Sequence, residues 1–155
     1  MFAETIAIDA SLERLGGVWA NEIYSVNIPE KIKENSNIVH FEMVNILVAL
    51  NVWKNRWRHQ YIKFYVDNQA VVTVCSSLYT RDSILATYVR NTWLLTSLYD
   101  IKISVMHIPG KENCIADMLS RWENSPQQKV KLATMLPSHK WVTVPKSVFD
   151  VNTEV

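Results

Sequence analysis

The 155-residue sequence is poor in the residues that break or cross-link a chain: it has three glycines, five prolines and two cysteines. So little glycine and proline leaves small room for flexible linkers. Cys75 and Cys114 lie far apart and fit no metal-ligand spacing, which excludes a disulfide framework or a cysteine zinc site. They read as small core hydrophobes in a reducing, intracellular compartment, cytoplasmic or nuclear. The sequence also lacks an excess of one charge: a formal net charge of +1 creates no global basic field that would announce a nucleic-acid partner. No membrane partner is expected, because the most apolar helical stretch, Ile84–Tyr99, contains Arg90 and is too short to span a bilayer. Met1–Ala10 carries acids and no basic segment, so no signal peptide is expected. What is present is an ordinary globular balance, 48% hydrophobic and 20% charged, in a length that suits one domain with a real core.

Periodicity orders the chain. Thr5–Ala10 alternates, with Ile6 and Ile8 on one face and Ala7 and Asp9 on the other, as a strand does. Gly16-Gly17 offers a turn, and Val18–Trp19 and Glu22–Ile28 complete a meander. Pro29 to Asn37 reads as loop, and Asn37 caps a long helix from Ile38 to Trp57 that is apolar almost all round and therefore deeply buried. Tyr61–Asp67 alternates again. Asn68 opens a helix to Leu78, Asp82 caps another to Tyr99, and Ile101–Ile108 is a last strand before a Pro109-Gly110 turn. Asn113 caps a short helix, Cys114–Trp122. This order implies an α/β fold whose mixed five-stranded sheet, an antiparallel meander plus two parallel strands, carries helices on both sides. The domain is expected over 1–123. Residues 124–155 read as a polar linker and C-terminal extension that packs only when more chain follows.

Four acids stand where folding explains them poorly. Asp9 interrupts an apolar strand, Glu42 sits in the most apolar helix, Asp67 ends an apolar strand, and Asp117 lies between Ala116 and Met118. Burying an unpaired carboxylate costs several kcal/mol or shifts its pKa, so such an acid usually has a cation partner. Singly, each has a plainer reading. Asp67 would serve as a cap or turn residue, and Glu42 and Asp117 as acids favoured at a helix N-terminus. Together they point further. If the first strand and Tyr61–Asp67 lie side by side in parallel, Asp9 and Asp67 share a face, and a helix packed there brings Glu42 beside them. Hard oxygen ligands suit magnesium or manganese, and two such ions suit phosphodiester hydrolysis.

The segments IAIDAS, HFEMVNILVALNVW, FYVDNQAVV and HIPGKENCIADMLSRW resemble, in this order, the four catalytic blocks of the ribonuclease H family. The last is similar to the signature that ends the ribonuclease H domain of retroelement polyproteins. VDNQAVV, the long helix ending in tryptophan and SHKWVTVPKSVF look closest to DIRS-type tyrosine-recombinase retroelements.

The resemblance spans about Thr5 to Trp122 and implies a ribonuclease H-like fold. It also implies cleavage of the RNA strand of an RNA–DNA hybrid with two Mg2+ or Mn2+ ions, next to a covalently attached reverse transcriptase domain. By this resemblance Asp9 bridges both ions, Glu42 and Asp67 hold the one nearer the leaving group, and Asp117 helps hold the one that activates water. Asn68, Asn45, Arg14 and Lys111 are candidates for contacting the hybrid. Asn68 reads equally as a helix cap, and Asn45 as a buried hydrogen-bonding amide.

His107, which alternation places on a strand, reads as structural, and His40 as a helix-surface residue. The basic-aromatic stretch Trp53–Lys63 either holds phosphates or is a helix end whose tryptophans are core. Two rival functions keep the fold: a non-catalytic connection or binding module, which would have lost acids, and integrase-like strand transfer, whose acidic set ends in Glu where this chain has Asp117.

Overall fold

A computed structural model of the chain describes residues 4–150. Its meander is β1 (Glu4–Ala10), β2 (Arg14–Trp19) and β3 (Glu22–Asn27). Then come α1 (Glu30–Lys33), α2 (Ile38–Trp57), β4 (Tyr61–Val66), α3 (Gln69–Ser77), α4 (Ser83–Tyr99), β5 (Lys102–His107) and α5 (Cys114–Ser120). The last elements are α6 (Pro126–Met135) and β6 (Lys140–Trp141). The sheet order is β5-β4-β1-β2-β3-β6.

The sheet therefore has six strands, one more than the five expected. The added strand, β6, pairs in parallel with β3 at Glu22 and Ile23 and covers part of what would be an open edge. Two residues are too few to display a period, which is why the sequence does not reveal it. The expectation that the tail packs only when more chain follows is also corrected. Ser125 caps α6 through Gln128 N–H, Leu132 is buried, and Val148 and Phe149 enter the main core. Pro29–Asn37 is not all loop, since α1 turns once there and buries Ile32.

Two apolar layers sandwich the sheet. The larger joins Ile6, Ile8, Phe64 and Val66 to α2 and α4; the smaller joins Ile23 to Met118 and Leu119 of α5 and Leu132 of α6. Helix α2 is buried without a break from His40 to Leu50 because strands lie on one side of it and α4 on the other. Its start is a capping box: Asn37 Oδ1 accepts from Val39 and His40 N–H, and Asn37 N–H donates to His40 Nδ1. His40 is thus buried, correcting the surface reading, and its Nε2 meets Asp82 Oδ2 at 2.6 Å. At the far end Trp53 and Trp57 pack with Trp19 and Phe64 at centroid separations of 5.4–5.8 Å, so these tryptophans are core. Of the cysteines, Cys75 is half-buried, but Cys114 is exposed and not a core residue.

Gly16-Gly17 is not a turn. Both lie inside β2, and the turn sits earlier, where Ser11 Oγ accepts from Glu13 and Arg14 N–H. The glycines are there for close approach. A Cβ on Gly17 would meet the Tyr24 ring at 2.4 Å, and one on Gly16 would stand 2.6 Å from Leu119 Cβ and 2.7 Å from Ser120 N. Because part of that obstacle is backbone, Gly16→Ala must push α5 off the sheet. The expected cost is about 1–3 kcal/mol by urea denaturation; unchanged stability would mean that α5 is not seated on β2 as described.

Candidate active site

The strand registers open a crevice. β1 pairs with β2 as far as Ala10↔Leu15, whereas its parallel pairing with β4 runs only to Ala7↔Tyr65. The carboxyl ends of β1 and β4 therefore part, at the point where the chain order reverses across the sheet, the place where open α/β sheets form ligand sites. Ala10 N–H, free of a strand partner there, donates to Glu42 Oε1 at 3.0 Å.

Asp9, Glu42 and Asp67 converge in this crevice, each offering a carboxylate oxygen within 4.8 Å of the others'. Asp9 and Glu42 are buried, and Asp67 is exposed at the mouth. Asp9 Oδ2 accepts from Ser120 Oγ of α5 at 2.9 Å. Glu42 Oε2 is buried with no hydrogen-bond partner. Among the described residues no Lys or Arg forms an ion pair with any of the three. Burial first, then the Asp67 charge, pushes the Asp9 carboxyl up to about 7, against the opposing Ser120 hydrogen bond. Burial and the Asp9 charge hold Glu42 well above the usual carboxylate range, although the Ala10 N–H works the other way. Hard oxygens, an orphaned buried acceptor and no protein cation are a donor set that fits a divalent metal ion.

Asp117 stands outside this tight group. Its half-exposed carboxylate lies 3.5 Å from Arg121 Nε, and it reaches Asp9 through its charge. Asp9, Ser11, Glu42, Asp67, Asn68 and Arg121 are among the residues lining an open cleft of about 620 Å3. Asn68 is both cleft residue and cap, its Oδ1 accepting from Val71 N–H. Lys111 lies in the single 3-10 turn Gly110–Glu112, whose Gly110 approaches Asp67 so closely that a Cβ there would be 3.4 Å from Oδ2. Arg14 is engaged away from the acids, by Ser25 and Asn27 of β3.

Asn45 is a correction: it is fully buried and cannot touch a substrate. Its Nδ2 donates to Asp9 O and Gly16 O, both at 3.0 Å, and its Oδ1 accepts from Tyr24 O–H. Asn113 likewise makes no side-chain cap on α5; its Nδ2 reaches across to Ile8 O at 3.0 Å. His107 lies exposed at the end of β5. Sequence reading missed Ser120, which orients Asp9, and Arg121, whose i,i+4 spacing from Asp117 was the available signal.

A sheet of this order flanked by these helices is the ribonuclease H fold, and solved structures with that fold superpose on the chain. The RNase H1 of the halophilic archaeon Halobacterium salinarum matches with a TM-score of 0.62 and 18% identity, over 76% of this chain and 94% of that one. An RNase H1 isolated from compost by a metagenomic approach matches at 0.52 and 15%, over 77% and 93%. The N-terminal RNase H domain of a Mycobacterium tuberculosis protein, solved as a fusion with maltose-binding protein, matches at 0.52 and 13%, over 86% and 99%. A search among curated proteins returns no match. The family model described as reverse transcriptase-like matches residues 20–123, more than half of the chain, and the chain belongs to that family. Glu42, Asp67 and Asp117 fall inside the matched stretch, and Asp9 precedes it.

The acid cluster contributes a pH dependence to the stability of the metal-free protein. Asp9 binds its proton more tightly folded than unfolded, so its contribution to stability is full below its ordinary value of 3.8 and is lost as pH rises through about 7. In chelator, Asp9→Asn is expected to melt higher than wild type above neutral pH, the gap closing toward acid. A gap independent of pH would show that ionisation of Asp9 is not its source.

Proposed function

We propose that this domain hydrolyses the RNA strand of RNA–DNA hybrids during reverse transcription, using Mg2+ or Mn2+ held by Asp9, Glu42, Asp67 and Asp117. The observation that carries the reading is the convergence of Asp9, Glu42 and Asp67 at the parted ends of β1 and β4, with Glu42 Oε2 unsatisfied and no protein cation among them. Asp9, Glu42 and Asp67 would hold one ion, and Asp117 would help to hold a second. Bound ions supply the positive charge that holds the scissile phosphate and lowers the pKa of the attacking water.

The chain's own residues prepare that site. Ala10 N–H and Ser120 Oγ each fix one oxygen of Glu42 and of Asp9, which limits how far either carboxylate can swing. Hydrolysis by this route needs no protein nucleophile, and among the described residues that line the cleft there is no histidine or cysteine. Asn68 and Arg121 line the cleft beside the acids and Lys111 stands in the turn next to Asp67; these would meet the hybrid's backbone, Arg121 while also restraining Asp117. The sequence blocks that look like those of DIRS-type retroelements support placing the domain in such a polyprotein, beside a reverse transcriptase domain.

The test is cleavage of end-labelled RNA annealed to DNA, compared with the same RNA alone. Cutting of the hybrid only, dependent on Mg2+ or Mn2+, is expected. Asp9→Asn should lower it by at least about a hundredfold, since each 1.36 kcal/mol of lost charge stabilisation is tenfold. Cutting that persists in chelator, or in the variant, would overturn the proposal. A hybrid bound without cutting would support a non-catalytic binding module instead.

A further inference from the structure

The sheet's second face is unevenly covered. In-register neighbours point the same way, so Asp9, Ala7 and Thr5 of β1 share a face with Lys63, Tyr65 and, by alternation, Tyr61 of β4. The pairs Tyr61↔Lys102, Lys63↔Ser104 and Tyr65↔Met106 extend that face onto β5. Helix α5 packs on this side over β1, β2 and β3. Beyond it, over β4 and β5, Tyr61, Lys63, Tyr65 and Ser104 are half-buried and Lys102 and Met106 exposed.

The chemistry of the uncovered part is specific. Lys63 and Lys102 form no ion pair among the described residues, and the acids of β1 and β4 on this face stand at its end, Asp9 and then Asp67, with Asp117 on α5 beyond them. Neither tyrosine stacks on another aromatic ring or under a cation among the described residues. The two rings, four residues apart on one strand, stand about 13 Å apart, with a lysine midway between them. Met106 is the one exposed large hydrophobe here, so the face lacks the continuous apolar surface of a protein interface.

We propose that this face binds an unpaired nucleic-acid strand, with Tyr61 and Tyr65 stacking on bases and Lys63 and Lys102 holding phosphates, and that it leads the strand along β4 to or from the acid cluster. A duplex does not suit it, because bases stacked inside a helix cannot lie on a tyrosine. The inference extends the function proposed above. Its test excludes catalysis, so the two can fail separately.

The test is fluorescence anisotropy of labelled oligouridine and oligothymidine with the full chain in chelator, at several salt concentrations. Binding of either strand is expected, and a preference would identify it as RNA or DNA. The pair Lys63→Ala and Lys102→Ala should weaken binding roughly tenfold at low salt and flatten the log–log salt slope by about 1.4. Tyr65→Leu should weaken it at least about fivefold. If that variant does not fold, the lysine pair still decides, because Lys102 is exposed. Lys129→Ala with Lys131→Ala on α6 removes the same charge elsewhere and should change nothing. No binding of either strand, or an equal loss in the α6 variant, would overturn the proposal, whatever the result with hybrids.

Discussion

One buried amide ties the halves of this fold together. Asn45 of α2 donates to the carbonyls of Asp9 in β1 and Gly16 in β2, and accepts from the Tyr24 hydroxyl of β3. Each bond contributes only about 1 kcal/mol net, but losing the amide would leave three buried polar groups unpaired, at roughly 1–3 kcal/mol apiece. The register between helix and sheet is therefore tightly specified. Glu42, one turn earlier on α2, inherits that register and meets Ala10 N–H and the Asp9 side chain. The position of the carboxylates thus follows from a contact made by an uncharged neighbour. It also follows from Gly16, which lets α5 close on the sheet and bring Ser120 to Asp9.

Much of this was legible because it broke local rules. An aspartate inside an alternating strand and a glutamate in an all-apolar helix conflict with the pattern around them, and such conflicts mark functional sites. The parallel placement of β1 and β4 then follows from element order, and with it the meeting of Asp9 and Asp67. Asn45 was harder, since nothing in the sequence tells a buried amide from one that meets a ligand; its partners are backbone groups of distant strands. Gly16-Gly17 misled for a related reason. Paired glycines usually mark turns, and these instead make room for Tyr24 and Leu119, residues whose approach is a tertiary fact. His40 reads as surface because helix spacing does not show that Asp82, forty-two residues on, arrives to cover it. The tail's packing is not legible because its buried apolar residues, Leu132, Val148 and Phe149, are scattered and its strand is two residues long.

The near-neutral net charge conceals a separation that matters more than the sum. Three carboxylates sit together with no ion pair to a basic residue among the described residues, and a short step along β4 lies a surface with lysines and no acid of its own. Once ionised, the first region repels a phosphate backbone, while the second attracts it. An anionic polymer approaches the crevice more readily when protons or cations have neutralised the acids. Burial couples that exchange to protons: with Asp9 pushed to about 7 and Glu42 held well above the usual carboxylate range, the metal-free site retains protons that an incoming ion must displace. Its affinity for a cation accordingly rises with pH. Apolar residues at these positions would fold the chain more favourably. The carboxylates cost stability until a cation arrives, which is the behaviour of a site built for binding and chemistry more than for packing.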